Sequence, residues 1–310
     1  MTDNLQQTIN FAKTFIQYSP LTAGLGMEPA VSIGTMIRNS ILNPPQSFFF
    51  NRAEVTFVTV QGQQDYTQQL DDLAYIEKVS LTDDIGKVYE IKDVYNNAAL
   101  SPSSDQARPN ALSIERSFFT NNALNFSLRF LAVPDAIYTV TLVYQKIALP
   151  FGPYLLSASS NAAAGQTTYT GVFDKLAFPA GSTAIITGFT LAANNGSFQV
   201  VSCTATSLVV LNASGVAATN TGYVSNFDWA PIPDTFRDVY NNLFLAEALA
   251  IVDDARAQLY RQRGVAAFFA KATGLTETQR NAFAQQWLAR DTEKAAVSGM
   301  VQLGQNGRGM

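Results

Sequence analysis

Carboxylates stand side by side at three places, Asp71-Asp72, Asp83-Asp84 and Asp253-Asp254, and paired carboxylates can hold metals or exchange protons. Adjacent residues of a strand point to opposite faces, however, and the first two pairs fall where turns are expected. The third falls on an expected helix with no further acidic cluster nearby, and none has the ligand spacing of a calcium loop. The chain contains no histidine. That removes the side chain most often used as general base and metal ligand, and with it any Ser-His-Asp triad. No Gly-x-Ser-x-Gly elbow occurs, and the glycine-rich pieces Gly24-Leu25-Gly26 and Gly304-Gln305-Asn306-Gly307 lack the lysine and hydroxyl residue of a phosphate loop. Ser-Lys catalysis is the one nucleophilic chemistry that the residue types leave open. The single cysteine, Cys203, has no partner for an internal disulfide and reads as a small buried side chain. The expectation is a protein that is not an enzyme, with no catalytic residue, metal site or cofactor.

What remains is a chain built for contact. Its 310 residues are 47% hydrophobic and 14% charged, a composition that folds and, at this length, forms two or three compact units. A net charge of −4 lacks the basic footprint with which proteins displace counterions from nucleic acid. No apolar run reaches the roughly 18–20 residues of a membrane span, and the N-terminus MTDNLQQTIN has no signal-peptide pattern, so a cytoplasmic or particle-bound protein without membrane contact is expected. Arg256, Arg261, Arg263 and Lys271 could meet an acidic partner, although Glu247, Asp253 and Asp254 nearby also suit a solvated helix face. Trp229 and Trp287 are of the type that anchors cores or interfaces.

These residues need elements to position them. Leu5, Ile9, Ala12 and Ile16 recur at helical spacing, and after Pro29 a second stripe runs through Ile33, Met36, Ile37 and Ile41 to Asn43-Pro44-Pro45. From Phe48 the period changes to two, with Ala53, Val55 and Phe57 facing one way. Strands are expected at 74–81, 88–91, 112–118, 123–130 and 138–144. Between 151 and 230 the only charged residues are Asp174, Lys175 and Asp228, and strands are expected at 183–190, 196–203 and 207–211. After Pro231-Ile232-Pro233, Asp234 is placed to cap a helix whose stripe is Phe236, Val239, Leu243, Ala246 and Ala250. That pattern continues through Leu259 and is interrupted near Gly264; Thr276-Glu277-Thr278-Gln279 then forms a capping box before Phe283 and Trp287. The expected fold class is α+β: a helical bundle formed by the N- and C-terminal helices, with an antiparallel β-sandwich and an inserted small β domain. The expected divisions are 1–47, N-terminal helices; 48–150, antiparallel β domain; 151–230, inserted β domain; 231–300, C-terminal helices; and 301–310, a flexible tail. Phe236, Val239, Leu243, Ala246 and Ala250 would form the bundle core.

Three short motifs carry a resemblance. An aromatic strand precedes Gly-x-x-x-Tyr in Phe57-Val58-Thr59-Val60-Gln61-Gly62-Gln63-Gln64-Asp65-Tyr66; a Pro-Asp-x-x-Tyr strand lies at Pro134-Asp135-Ala136-Ile137-Tyr138; and Pro231-Ile232-Pro233-Asp234-Thr235-Phe236 opens a Leu- and Ala-rich helix. In this order and spacing they resemble the head-to-tail adaptor (connector) proteins of tailed bacteriophages, the tail-tubular A-like family, over nearly the whole chain. The 151–230 block departs from the simplest family pattern. The resemblance implies a structural virion protein of the viral neck and tail, assembled in the host cytoplasm. It would form a homo-oligomeric ring, a dodecamer matching the portal, beneath the portal protein. Below it a further tail or nozzle protein would bind, and double-stranded DNA would pass through the lumen during ejection without sequence-specific binding. Candidate portal or subunit interface residues are Arg256, Arg261, Arg263, Lys271, Trp287, Leu303 and Arg308. The alternative is a peripheral tail or fibre component that binds a host-surface glycan through the inserted β domain, with Tyr154, Tyr169, Phe173 and Tyr223 as its candidate aromatics.

Overall fold

A computed structural model describes residues 4–16, 29–70, 72–95, 105–120, 123–148, 151–162, 165–226 and 231–289. The helices are α1 (Asn4–Lys13), α2 (Ala30–Leu42), α3 (Arg237–Ile251), α4 (Arg256–Lys271) and α5 (277–289). The first eight strands are β1 (Arg52–Val58), β2 (Asp65–Gln69), β3 (Leu73–Thr82), β4 (Val88–Ile91), β5 (Asp93–Tyr95), β6 (Ala111–Thr120), β7 (Ala123–Phe130) and β8 (Thr139–Lys146). The remaining six are β9 (Tyr154–Ala162), β10 (Gln166–Gly171), β11 (Thr183–Thr187), β12 (Gly196–Cys203), β13 (Ser207–Leu211) and β14 (Gly222–Asn226). The chain divides into two units, 42–148 and the combination of 1–41 with 149–310.

In the unit 42–148, strict alternation does the work expected of it: Ala53, Val55 and Phe57 of β1 turn inward while Arg52, Glu54, Thr56 and Val58 are exposed. One sheet has the order β1-β8-β3-β4 and is antiparallel throughout; the other is β2-β7-β6-β5, whose β5–β6 pair is parallel. Both sheets feed one core, where Val79, Leu81, Val140 and Leu142 meet Leu112, Leu128 and Phe130. The two ends of the unit are tied together. Asn43 Oδ1 accepts from the Ala148 amide (2.8 Å), and buried Asn51 donates through Nδ2 to the carbonyls of Leu42 (3.0 Å) and Lys146 (2.7 Å).

In the other unit, strands β9 to β14 close into a barrel of order β10-β13-β12-β11-β14-β9. Closure leaves no unpaired strand edge, and shifts of register at Thr170/Gly171 and at Val200/Ser202 supply local bends. Inward residues such as Leu156, Ile186, Leu208, Val210 and Val224 fill it. The short turn ending at Asn194 plugs one end. Asn194 is fully buried; its Nδ2 donates to Ser159 Oγ and to the Val216 carbonyl, both at 2.9 Å, and its Oδ1 accepts from the Val216 amide at 2.8 Å. The barrel segment is likewise closed at its ends, because the Asn226 amide donates to the Phe151 carbonyl (2.7 Å).

The helices of both chain ends belong to this second unit. Leu5, Ile9 and Ala12 of α1 are fully buried, and Thr8 Oγ1 donates to Asn241 Oδ1 of α3 (2.8 Å). Phe283 of α5 stacks on Phe268 of α4 with 3.6 Å between ring centroids, and Trp287 Nε1 donates to Ser40 Oγ of α2 (3.1 Å). The expected capping box forms: Gln279 N donates to Thr276 Oγ1 (3.3 Å) and Thr276 N donates to Gln279 Oε1 (2.9 Å).

Several expectations are corrected. The fold class is not the expected α+β helical bundle with an antiparallel β-sandwich and a small inserted β domain: among the described residues the chain is mostly β, with three sheets, one of them a closed six-stranded barrel, and its helices are short. The expectation underweighted β structure because β9, β10 and β14 are rich in Ser, Thr, Asn and Gly and lack the apolar alternation that marks a strand. The stripe thought to run from Phe236 through Leu259 is broken at Val252–Ala255, where Asp253 adopts φ +56. Gly264, read as an interruption, lies inside α4. A Cβ there would stand 2.6 Å from Leu243 Cδ2, so the glycine lets α4 approach α3 closely. Asp234 does not cap α3; its carboxylate pairs with Arg237 (3.2 Å) in an exposed position. No helix of the described residues is long and apolar enough to cross a membrane.

Candidate functional site

The acidic pairs are occupied with local structure. Asp83 Oδ1 accepts from the amides of Ile85 (3.2 Å) and Lys87 (2.7 Å), and its Oδ2 accepts from the Tyr89 hydroxyl (3.1 Å), which fixes the β3–β4 turn. Asp72 accepts from the Tyr144 hydroxyl (2.9 Å), and Asp71 lies outside the described residues. Asp253 and Asp254 occupy the α3–α4 turn and not a helix; the Arg256 guanidinium, 2.7 Å from Asp254, holds that carboxyl below the usual carboxylate range. Among the described residues no three of His, Cys, Asp or Glu gather as metal ligands would.

The candidate interface residues are scattered by the fold. Arg256 is exposed and paired with Asp254, and Arg263 is exposed with its guanidinium 5.2 Å from the centre of the Tyr260 ring. Lys271 is exposed at the end of α4. Arg261 and Trp287 are buried within the single chain, Arg261 in an ion pair with Glu247 (2.9 Å). Helical period placed Arg261 with its neighbours in sequence, but it turns onto the face that packs against α3. Leu303 and Arg308 lie outside the described residues. Phe236, Val239, Leu243 and Ala246 are buried, and Ala250 is half-buried. Of the aromatics considered for a glycan, Tyr169 and Phe173 are in the barrel core; Tyr154 packs edge-on against Phe178, leaving Tyr223 half-buried.

A different surface emerges at one end of the sheet β1-β8-β3-β4. Pairing sets Val58 opposite Thr139, Thr139 opposite Thr82, and Thr82 opposite Val88, one continuous row across all four strands. With strands about 4.8 Å apart, the row is about 14 Å wide. Val60 and Ile137 extend it beyond the strands, held together because the Thr59 amide donates to the Tyr138 carbonyl (2.8 Å) and the Tyr138 amide donates to Thr59 Oγ1 (2.7 Å). Ile85 lies in the β3–β4 turn at the same end of the sheet. Val58, Val60, Ile85, Val88 and Ile137 are each more than half exposed. Single exposed aliphatics are ordinary, but five at one end of a sheet, with only Thr139 and Thr82 between Val58 and Val88 in the row, make a weakly polar patch of the kind that partners cover.

The patch stands on a rigid base. The Tyr66 hydroxyl accepts from the Val60 amide (2.9 Å) and donates to the Gln63 carbonyl (2.8 Å), so the Gly-x-x-x-Tyr motif pins its own turn. Gly62, at φ +83, donates its amide to the Pro134 carbonyl (2.9 Å), and the Tyr138 hydroxyl donates to Asp135 Oδ1 (2.8 Å). Burial, aided by the Asp135 hydrogen bond and charge, pushes the Tyr138 hydroxyl up to about 12. Two motifs separated in sequence thus meet in one structure. Sequence reasoning missed the patch; the available signals were Val60 continuing the alternation past the strand and Ile85 in an Asp-Asp-x-Gly turn. The chain matches no known protein-family model and no curated protein.

Proposed function

We propose that this protein is a structural subunit of a tailed-phage virion, a head-to-tail adaptor that forms a ring beneath the portal, joins capsid to tail and continues the DNA channel. The observation that carries the reading is the exposed aliphatic patch built on the junction of the Gly62–Tyr66 and Pro134–Tyr138 motifs, the same two motifs that resemble adaptors. An apolar surface on a rigid β support suits permanent docking to a neighbouring protein more than turnover of a substrate. The net charge of −4 suits a lumen through which DNA slides. Virion neck location and assembly in the host cytoplasm follow from the same reading. The alternative, a peripheral fibre component binding glycan through the barrel, draws less support because Tyr169 and Phe173 are inside the barrel.

Mass photometry of the full chain with the portal protein of the same phage tests this. The expected result is a portal-bound species heavier by a ring of this chain, twelve copies on a twelvefold portal. Absence of any association with intact portal rings would overturn it.

A further inference from the structure

We infer that the closed barrel is a subunit-to-subunit connector, in which the β9-start end of one copy docks on the opposite end of the barrel of the next copy. The inference rests on the ring reading above and names the contact that builds the ring.

Charge comes first. From 151 to 226 the chain has two charged residues, Asp174 and Lys175, adjacent and of opposite sign. A free-standing surface is typically about a quarter to a third charged, so this barrel presents a neutral surface of Ser, Thr, Asn, Gln and aliphatic residues. Both charges follow Val172 at the β9-start end, Lys175 exposed and Asp174 half-buried, while the segment places none at the other end; a contact between unlike ends therefore sets one adjacent pair of opposite charges against an uncharged face, and the barrel offers no open strand edge through which another chain could add.

The exposed aliphatics then fall at two ends. Because β9 and β10 are antiparallel neighbours with Gly171 opposite Leu156, exposed Leu155 and Val172 lie together at the end where β9 begins. Leu211 ends β13 opposite Gln166, at the other end, and the loops carrying Leu191 and Val216 close over that same end. These loops are fixed: Asn194 ties one to the Val216 backbone, and Asn212 Nδ2 reaches the Ala193 carbonyl (2.9 Å). Two different apolar patches at opposite ends of one neutral module are what a heterologous, head-to-tail contact requires, since each copy must offer both a donor face and an acceptor face. A single partner of another kind would need only one of them.

The test uses the full chain with Val172→Asp at one end and Val216→Asp at the other, both at exposed positions, with thermal melts to verify folding. Wild type is expected to form multi-copy species, alone at rising concentration or on the portal. Each variant alone is expected to stay at single-copy mass. An equimolar mixture of the two is expected to give a two-copy species and stop there, because only one intact junction can form. The contact is overturned if either variant assembles like wild type, if the mixture yields no two-copy species, or if wild type remains single-copy in both settings. Wild-type rings that ignore the portal would overturn the adaptor reading and leave the barrel contact standing. Variants that still load the portal with a full ring would overturn the contact and leave the adaptor reading standing.

Discussion

Cys203 is half-buried near the end of β12, and burial, with the Asp174 carboxylate adding to it, pushes its thiol up to about 11 from 9.0. Only the thiolate attacks an alkylating agent, so at pH 8 native protein should react with iodoacetamide about a hundredfold more slowly than urea-unfolded protein. Equal rates would show the thiol to be unshielded. The same shift bears on stability. A group whose pKa is higher in the folded state contributes fully below its unfolded value and loses that contribution as pH rises through the folded one. Cys203 acts between 9.0 and about 11, and Tyr138 between 10.0 and about 12. Burial raises Tyr154 and Tyr240 in the same direction. The urea midpoint is therefore expected to be level near pH 8 and to fall from about pH 9 upward; a flat profile to pH 11 would contradict this.

Elements are held by a few closely fitted positions. Asn194 closes the barrel with all three of the hydrogen bonds described above, and Asn194→Ala would remove them from a fully buried position and leave the part-buried Val216 amide without this acceptor, at a cost of about 1–3 kcal/mol. Thermal unfolding would register this as a clear fall in midpoint. Gly264→Ala tests the α3–α4 approach. Alanine favours helix by about 1 kcal/mol, but its Cβ would sit 2.6 Å from Leu243 Cδ2, and overpacking costs about 1–3 kcal/mol. Net destabilisation is expected; a stabilised variant would mean that the helices separate without penalty.

For the whole molecule, each β segment is stitched shut where it leaves the chain, at Asn43 with Ala148 and at Phe151 with Asn226. The aliphatic patch at the end of the β1-β8-β3-β4 sheet has no role in that closure. The double variant Val58→Asp, Ile137→Asp should keep the wild-type melting temperature while weakening portal association at least tenfold, measured by mass photometry over a dilution series. Wild-type association in the double variant would remove the patch from the interface.

Local periodicity was enough to place many elements. Strands β4, β7, β12 and β13 lie where alternation between turn residues puts them, and the α2 and α5 boundaries follow from proline and from the Thr276–Gln279 box. The lack of histidine was likewise plain from the residues alone. Barrel closure was not legible, because β9, β10 and β14 carry small polar residues whose side chains hold no apolar period, and closure depends on pairing between distant segments. The docking patch was not legible for a related reason. Val58, Val60, Ile85, Val88 and Ile137 are unremarkable one by one, and only strand register, which sets Val58, Thr139, Thr82 and Val88 in a row, brings them onto one surface. Tertiary structure also turned Arg261 and Trp287 inward. Helical spacing fixes which residues share a face, but what covers that face is decided by long-range packing.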